Sequence, residues 1–577
     1  MPRSPATDQR PELRLVVAMT ALVLFKLWLV SAQTIFAIGG SGGARHDDQL
    51  FINLAANLLA GRWLGSYSQF TLMKGPMYSL FIAGVFLSGI PLFAAQQLIY
   101  CASCWLLECA IRPLVSNVWP RFALFAVLLF NPVTYDARGN ARLLRQDIIP
   151  GLVLAIVAGF IAMHARQSRP RSRSAPWAIL SGVTLAAFWL TREESLWLLP
   201  CLVPIWGMTA FTVWRSRQRD RIARIFVLLV PAGIWAACLV IVASINLAYY
   251  GIFTTCEFRH ADFAAAYGAL LRVDPAQWRP YIHVPHESRE RLYAISPAFA
   301  ELRPHLEGPI GKAYAVPSEA LTHIPVSELE IAGGWFVWAL RDAVCAAGHC
   351  SNGREAMAFY RRLANEVNEA CDNGLIEAGP RRTGFVPRLR REHLDLLPGA
   401  VRRVTKLFLT FDELGVSSPS SMGTPAELVQ FADLTRGRLS PPSTGPQIPP
   451  TQQWLDRMRL HLLKKVSRTY HRLAPWAAGA ASIGLLTTLL FAVPQRSMPY
   501  FGVLSLGSIA ASGTLMAICT LSDVTAFNSI HTMYLTGAYG LYLLFMFTSW
   551  LSLAEVLGLR AMPASDIKEH DASLARP

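Results

Sequence analysis

Ten runs of apolar residues, each near the length that crosses a bilayer, are strung along this chain and separated by short arginine-rich loops. They cover roughly 15–37, 93–111, 120–134, 147–165, 176–191, 195–214, 225–249, 475–493, 499–519 and 530–553. About 20 apolar residues in helical form match the hydrocarbon core. Inside lipid the backbone must satisfy its own hydrogen bonds, which helices do within one segment. The pattern predicts an all-α multi-pass membrane protein with about ten transmembrane helices plus interfacial ones. Of the 577 residues, 53% are hydrophobic and 16% charged, which fits that class. A net charge of +15 in a soluble chain would point to nucleic acid. Here the arginines sit in short loops between spans, as the positive-inside bias demands, so nucleic acid is excluded as a partner.

Loop charge also orders the spans. Arg3, Arg10 and Arg14 precede the first run, which reads as an uncleaved span; a signal peptide cut near Ser31-Ala32 is the alternative. The run 76–91 is short and holds Gly84, Gly89 and Pro91. If it stays on the surface, Arg112, Arg121 and the loops 166–173 and 215–224 face the cytoplasm; if it crosses, they face outward. The arginine bias selects the first arrangement. Asp47, Asp48, Lys74, the loop 135–147, Arg192, Glu193 and Glu194 then share the outer face. Arg138, Arg142 and Arg145 also end outside, which calls for an anionic ligand.

The expected domains are a cytoplasmic 1–14, a membrane module 15–249 with an acidic outer loop 38–75, an extracytoplasmic domain 250–474, last spans over 475–553, and a tail 554–577. The 250–474 segment is too long and polar for a simple loop. It is expected to be mainly α. Tyr360, Leu363, Val367 and Ala370 form one stripe of a helix over 354–371, ended by Asp372-Asn373-Gly374. The run 435–451 reads as a linker, and the basic helix 453–472 as lying on anionic lipid. Cys256, Cys345, Cys350 and Cys371 in this domain allow two disulfides in three pairings. Cys101, Cys104, Cys109, Cys201, Cys238 and Cys519, in or beside apolar runs, read as packing residues.

The chemistry-bearing residues concentrate in three places. Asp47-Asp48 follows the first span, and carboxylates beside a membrane are functional candidates. One carboxylate suits a general base and the other a metal or an ammonium group; a solvated acidic loop is the plain reading. Lys74, in Lys74-Gly75-Pro76, suits a lipid phosphate as well as it suits a snorkelling anchor. Asp147, after Arg138 and Arg142, is either a second acid or the cap of the helix that follows. Arg192-Glu193-Glu194 reads as an ion pair or as a phosphate-binding arginine held by a glutamate. Glu257, His260 and Asp262 match no strong metal spacing; they read as structural, as do His283 and His286. Asp523 and the residues from His531 to Tyr534 are weaker candidates.

The order of these residues resembles the GT-C superfamily of membrane glycosyltransferases, which use polyprenyl-phosphate sugars and include aminoarabinose–lipid A transferases and protein O-mannosyltransferases. The resemblance covers roughly 15–200. It rests on the acidic pair Asp47-Asp48, the A-x-x-L-x-x-G run Ala55 to Gly61, the K-x-P at Lys74, and Asp147. Tyr534-Leu535-Thr536-Gly537-Ala538-Tyr539 is loosely similar to the late R-Y-L-x-P-A-Y run, without its arginine and proline. Gly75 stands where the family's K-P-P motif has its first proline.

The resemblance implies an inverting transfer from a polyprenyl-phosphate-sugar donor to an extracytoplasmic glycan, lipid or protein acceptor in the bacterial inner membrane. It implies Asp47, Asp48 and Asp147 as catalytic residues, with Asp47 or Asp48 the general base. Lys74, Arg192, Arg138 and Arg142 would bind donor phosphate, with Glu193 and Tyr78 supporting. A divalent metal, Mg or Mn, at Asp47 and Asp48 is left open, since the superfamily's members differ on it. The rival readings are a flippase or transporter of a lipid-linked glycan, and a non-catalytic envelope assembly protein.

Overall fold

The computed structural model describes residues 9–137, 145–192, 195–216, 220–441, 450–495 and 497–559. Among these, nine helices are long and apolar enough to cross a membrane: Pro11–Val30, Leu92–Ile111, Val118–Tyr135, Arg171–Thr191, Ser195–Arg215, Arg221–Tyr250, Gln452–Ala492, Tyr500–Thr525 and Thr532–Val556. The protein is an all-α multi-pass membrane protein. Its described residues contain only isolated β-bridges besides helices and loops.

A tenth apolar helix, Ile149–Ala165, has 17 residues and is buried from Ile149 to His164. It extends a 3-10 turn over Arg145–Ile148 and forms the centre of the bundle, packed against Leu92–Ile111 and Ala175–Thr191. Close packing requires a missing side chain: a Cβ on Gly159 would lie 1.9 Å from Ser181 Oγ. In contrast, only 17% of the apolar window of Arg221–Tyr250 is buried, so this helix sits at the periphery and presents its side chains to lipid.

The ambiguous run 76–91 forms the helix Met77–Ser88, 12 residues long. That is about 18 Å, short of the roughly 30 Å hydrocarbon core.

Two expectations for other segments need correction. The first span ends at Val30, not at 37. Residues 32–38 run on in extended form and bridge Ile35 to Leu439 and Ile38 to Met422. This bridging docks the start of the expected linker: Ser440 N–H donates to Ile35 O at 2.7 Å. Residues 442–449 lie outside the described set. The basic segment 453–472 is no separate surface helix. It is the first half of one helix, Pro450–Ala492, 43 residues long. At 1.5 Å per residue this is about 65 Å, twice the hydrocarbon thickness, so its charged half stands out of the membrane.

The segment 250–474 divides between two hydrophobic cores. Phe263, Leu292, Phe336, Leu363 and Val367 build one core together with Leu50, Leu64, Leu72 and Met73 from the stretch after the first span. Ala400, Phe408, Phe411 and Phe431 instead join the core of the membrane helices. The helix Gly353–Asp372 buries Tyr360, Leu363, Val367 and Ala370, and Asn352 Oδ1 caps it by accepting from Glu355 N–H at 2.9 Å. Among the described residues one disulfide forms, Cys345–Cys350; Cys256 and Cys371 are not bridged to each other, so the second expected disulfide does not form.

Candidate active site

The helix Asp48–Leu59 joins the two cores. Its Leu50 and Leu54 join the core built by the 250–474 segment, and its Phe51, Ile52 and Ala55 the core of the membrane helices. Asp47 and Asp48 open this helix, so both sit where the two bodies meet. Asp48, in the first turn, is fully buried; Asp47 is half-exposed. A carboxylate in a first turn suits the helix dipole, and for Asp48 that is the plain structural role.

Lys74 faces Asp47. Its Nζ donates to Asp47 Oδ1, and the lysine is 5% exposed. The ammonium lies 5.2 Å from the Phe51 ring centroid and 5.4 Å from that of Trp338. A cation held over two ring faces is attracted by their quadrupoles. The turn that carries it is pressed onto the end of the helix Ala175–Thr191: a Cβ on Gly75 would lie 2.0 Å from Leu190 O. This contact explains glycine at that position. It also sets Lys74 beside Thr191 and Arg192. The Arg192 carbonyl accepts from Arg259 Nη2 at 3.2 Å and from Ser195 Oγ at 2.6 Å, which pins the chain there.

Asp147 belongs to the same end of the bundle. The helix Ile149–Ala165 begins without a side-chain cap, so capping is not the role of Asp147. Gln96 Nε2 instead donates to Asp147 Oδ2 at 3.2 Å and to Tyr78 Oη at 2.9 Å. Burial, then the charges of Asp147 and Asp48, hold the Tyr78 phenol well above its ordinary range. Phe51 meets Tyr78 edge-on at 5.1 Å and thus lies under both Lys74 and Tyr78. Asp47, Asp48, Lys74, Tyr78 and Asp147 therefore form one constellation, with Arg192 at its margin. Arg138, Arg142 and Glu193 lie outside the described residues.

Three further residues reach this place from the 250–474 segment and were not singled out in the sequence. Trp338 stacks near His46 at 4.5 Å and covers Lys74. Tyr314 Oη lies 2.6 Å from His46 Nε2 and donates to Asp342 Oδ2 at 3.0 Å. Asp342 is buried, with His46 3.7 Å and Arg45 4.0 Å away. No local pattern marks Trp338, Tyr314 or Asp342; their helices read as ordinary amphipathic segments. His46 stands beside Asp47 and carried the one available hint.

A clamp holds the Lys74 loop. Arg341, fully buried, pairs with the fully buried Glu257 at 2.8 Å and donates to the carbonyls of Gln69 and Thr71. Tyr67 Oη donates to Glu257 Oε1 at 2.6 Å, and Glu257 N–H to Leu72 O at 2.8 Å. Glu257 is thus committed to the loop, and Asp262 to Arg361 at 2.8 Å, which agrees with a structural role for both. His283 is likewise structural, between Tyr267 Oη and Thr525 O, each at 3.0 Å. Asp523 pairs with Arg403 at 2.6 Å. Among the described residues the one grouping with metal-ligand spacing is His286, Glu290 and Glu307. There Glu307 already binds the buried Arg289 at 2.8 Å, which explains the cluster as an ion-pair network.

Arg45, two residues before Asp47, lines a cleft of about 420 Å³ that runs along the helix Asp48–Leu59. Gln49, Asn53 and Asn57 line one wall at i, i+4 spacing; Ser66, Ser68 and Phe70 line the other. Leu50, Leu54 and Leu64 add an apolar lining, and Arg45 and Glu427 two charges; amides and hydroxyls above apolar side chains suit a hydroxyl-rich ligand with apolar faces.

No family model matches the chain, and no curated protein sequence does. Among solved structures, the crystal structure of ArnT from Cupriavidus metallidurans in the apo state is similar over 95% of this chain and 78% of its own, at 13% identity and a TM-score of 0.31. The same protein bound to undecaprenyl phosphate is similar over 94% of this chain and 78% of its own, at 12% identity and a TM-score of 0.29.

Proposed function

We propose that this chain is a membrane glycosyltransferase that moves a sugar from a polyprenyl-phosphate donor to an acceptor hydroxyl with inversion. The observation that carries the reading is the Lys74–Asp47 pair, walled by Phe51 and Trp338, two residues along the chain from Arg45, which lines a cleft. The order of motifs in the sequence supports it.

In this reading the acceptor sugar or alcohol lies in the cleft, with its hydroxyl at Asp47. The donor enters from the bilayer with its phosphate at Lys74 and Arg192. A phosphate that reaches Lys74 competes with Asp47 for the ammonium, so donor binding releases the carboxylate to act as base. The acceptor oxygen then forms a bond to the anomeric carbon and its proton passes to Asp47. The bond from that carbon to the phosphate oxygen breaks, and polyprenyl phosphate leaves with the electron pair. Its negative charge grows in that step, and Lys74 stabilises it in a site poor in water. Asp147, tied to Tyr78 through Gln96, orients the acceptor. Outward sidedness, from the arginine bias, and a bacterial inner membrane, which the resemblance implies, belong to the same proposal.

The test uses membranes that contain the full chain and a labelled polyprenyl-phosphate sugar. Release of free polyprenyl phosphate is measured for the wild type and for Asp47→Asn. A lost general base costs about 100-fold or more in rate. Turnover of Asp47→Asn at the parental rate would overturn the assignment. Movement of intact labelled lipid between leaflets, without release, would point to the transporter instead.

A further inference from the structure

We propose that the groove between residues 411–417 and the upright half of the helix Pro450–Ala492 binds a lipid headgroup that carries both a phosphate and a primary amine. The phosphate lies on Lys464 and Arg468, the amine on Asp412 and Glu413. This inference stands apart from the glycosyltransferase reading.

The groove measures about 550 Å³. One wall is Phe411–Ser417, which includes Asp412 and Glu413; the other is a stripe of the helix at Arg457, His461, Lys464, Arg468 and His471. Those five positions are spaced by four, three, four and three residues, so they share one helix face. All five are exposed. Carboxylates and cations that line one groove ordinarily close into salt bridges. Among the described residues neither Asp412 nor Glu413 pairs with a lysine or arginine; Glu413 approaches the His531 imidazole at 3.7 Å. Opposite charges thus face each other across an open space, which is the complement of a ligand with both signs.

The acidic wall is held rigid. Phe411 and Glu413 take φ of 50° and 62°, the left-handed region that residues with a Cβ seldom occupy. Such strain persists where surroundings over-determine it, and it collects at ligand sites. Phe411 is buried against Tyr539 at 4.7 Å and Tyr470 at 5.5 Å. Gly415 N–H donates to Asp136 Oδ1 at 2.8 Å, and Ala137 N–H to Gly415 O at 2.6 Å.

The level of the groove selects a lipid. The helix carries no charge beyond Arg472, and Leu473 and Trp476 are 60% and 80% exposed. A tryptophan there marks the membrane–water interface. Arg468 lies five residues above Leu473, about 8 Å along the axis, within the headgroup layer. Lys464 is one turn higher, and Arg457 marks the end open to solution. A primary amine suits the two carboxylates because it donates up to three hydrogen bonds. A choline headgroup offers none and is recognised by aromatic cages instead.

The experiment measures lipid retention by the purified, delipidated full chain in native mass spectrometry. Phosphatidylethanolamine, phosphatidylcholine and phosphatidylglycerol are offered in turn. The expected result is at least tenfold tighter binding of phosphatidylethanolamine than of either other lipid. Lys464→Gln with Arg468→Gln should remove that binding about tenfold or more, with thermal stability unchanged because both residues are exposed. Asp412→Asn with Glu413→Gln should bring phosphatidylethanolamine level with phosphatidylglycerol. Equal or tighter binding of phosphatidylglycerol by the wild type overturns the proposal, as does wild-type binding by either double variant. Soluble phosphoethanolamine that displaces the lipid at equal concentration would show a site for the free headgroup and overturn the lipid assignment.

Discussion

At the residue scale the account turns on Lys74 and its neighbours. Its niche between Phe51 and Trp338 fits a compact ammonium, and an arginine fork does not replace a point charge there. Lys74→Arg and Lys74→Ala are both expected to raise the donor KM about tenfold or more, the worth of a charged hydrogen bond. Steady-state kinetics against donor concentration checks this; an unchanged KM in both would remove Lys74 from the donor site. Gly75→Ala forces a Cβ onto the Leu190 carbonyl and is expected to destabilise by about 1–3 kcal/mol, as overpacking does. Thermal unfolding of the purified variant checks it. Asp47, Lys74 and Asp147 were legible in the sequence because chemically unusual residues stand beside apolar runs. Trp338, Tyr314 and Asp342 were not, because they arrive from a separate core more than two hundred residues later. Only the folded chain brings them to His46 and Lys74.

At the element scale the Arg341–Glu257 clamp decides whether the Lys74 loop is ordered. Removing one partner of a buried pair leaves an uncompensated charge, at a cost of about 3–5 kcal/mol. Arg341→Met is expected to lower thermal stability by that order and to open residues 65–74 to protease. Glu257→Leu with Arg341→Met should recover part of the loss, since both charges are then gone; no recovery would mean that the loop hydrogen bonds matter more than the pair. Element boundaries show where sequence reasoning fails. The change from basic to apolar near Arg472 and Pro475 reads as a break, yet one helix runs through it. Proline within a long helix costs stability locally but does not end it when neighbours pack around the freed carbonyl. Residues 32–38 are apolar like the span before them. They leave the helix because backbone bonds to Arg438, Ser440 and Met422 offer an alternative. Apolar length alone does not separate these outcomes.

At the scale of the whole molecule, one contact to a membrane helix and one local disulfide in the 250–474 segment can be tested from solution. His283 bridges Tyr267 to the carbonyl of Thr525 at the end of a membrane helix. Burial lowers its imidazole to about 4, with the Thr525 carbonyl acting weakly in the other direction. The folded state therefore binds fewer protons than the unfolded one between about pH 6.5 and 4. Stability from this group is full above 6.5 and falls on acidification, by up to about 3 kcal/mol at pH 4. His283→Gln should flatten that part of the stability profile; a profile unchanged by the substitution would assign the acid sensitivity elsewhere. The Cys345–Cys350 bridge closes a turn within the domain, and it needs an oxidising compartment. A membrane-impermeant thiol reagent is expected to label these two cysteines in intact cells only after reduction. No labelling in intact cells even after reduction, with labelling once the membrane is permeabilised, would place the domain on the cytoplasmic side and remove the outward topology.

The central claim is that the Asp47–Lys74 constellation receives the phosphate of a polyprenyl donor. The most direct measurement is the binding of a polyprenyl phosphate to the full chain in nanodiscs, for the wild type and Lys74→Ala, with Asp47→Asn alongside. The account predicts tight binding by the wild type, a loss of about tenfold or more in Lys74→Ala, and a gain in Asp47→Asn, where the carboxylate no longer competes for the ammonium. Equal binding by all three would contradict it.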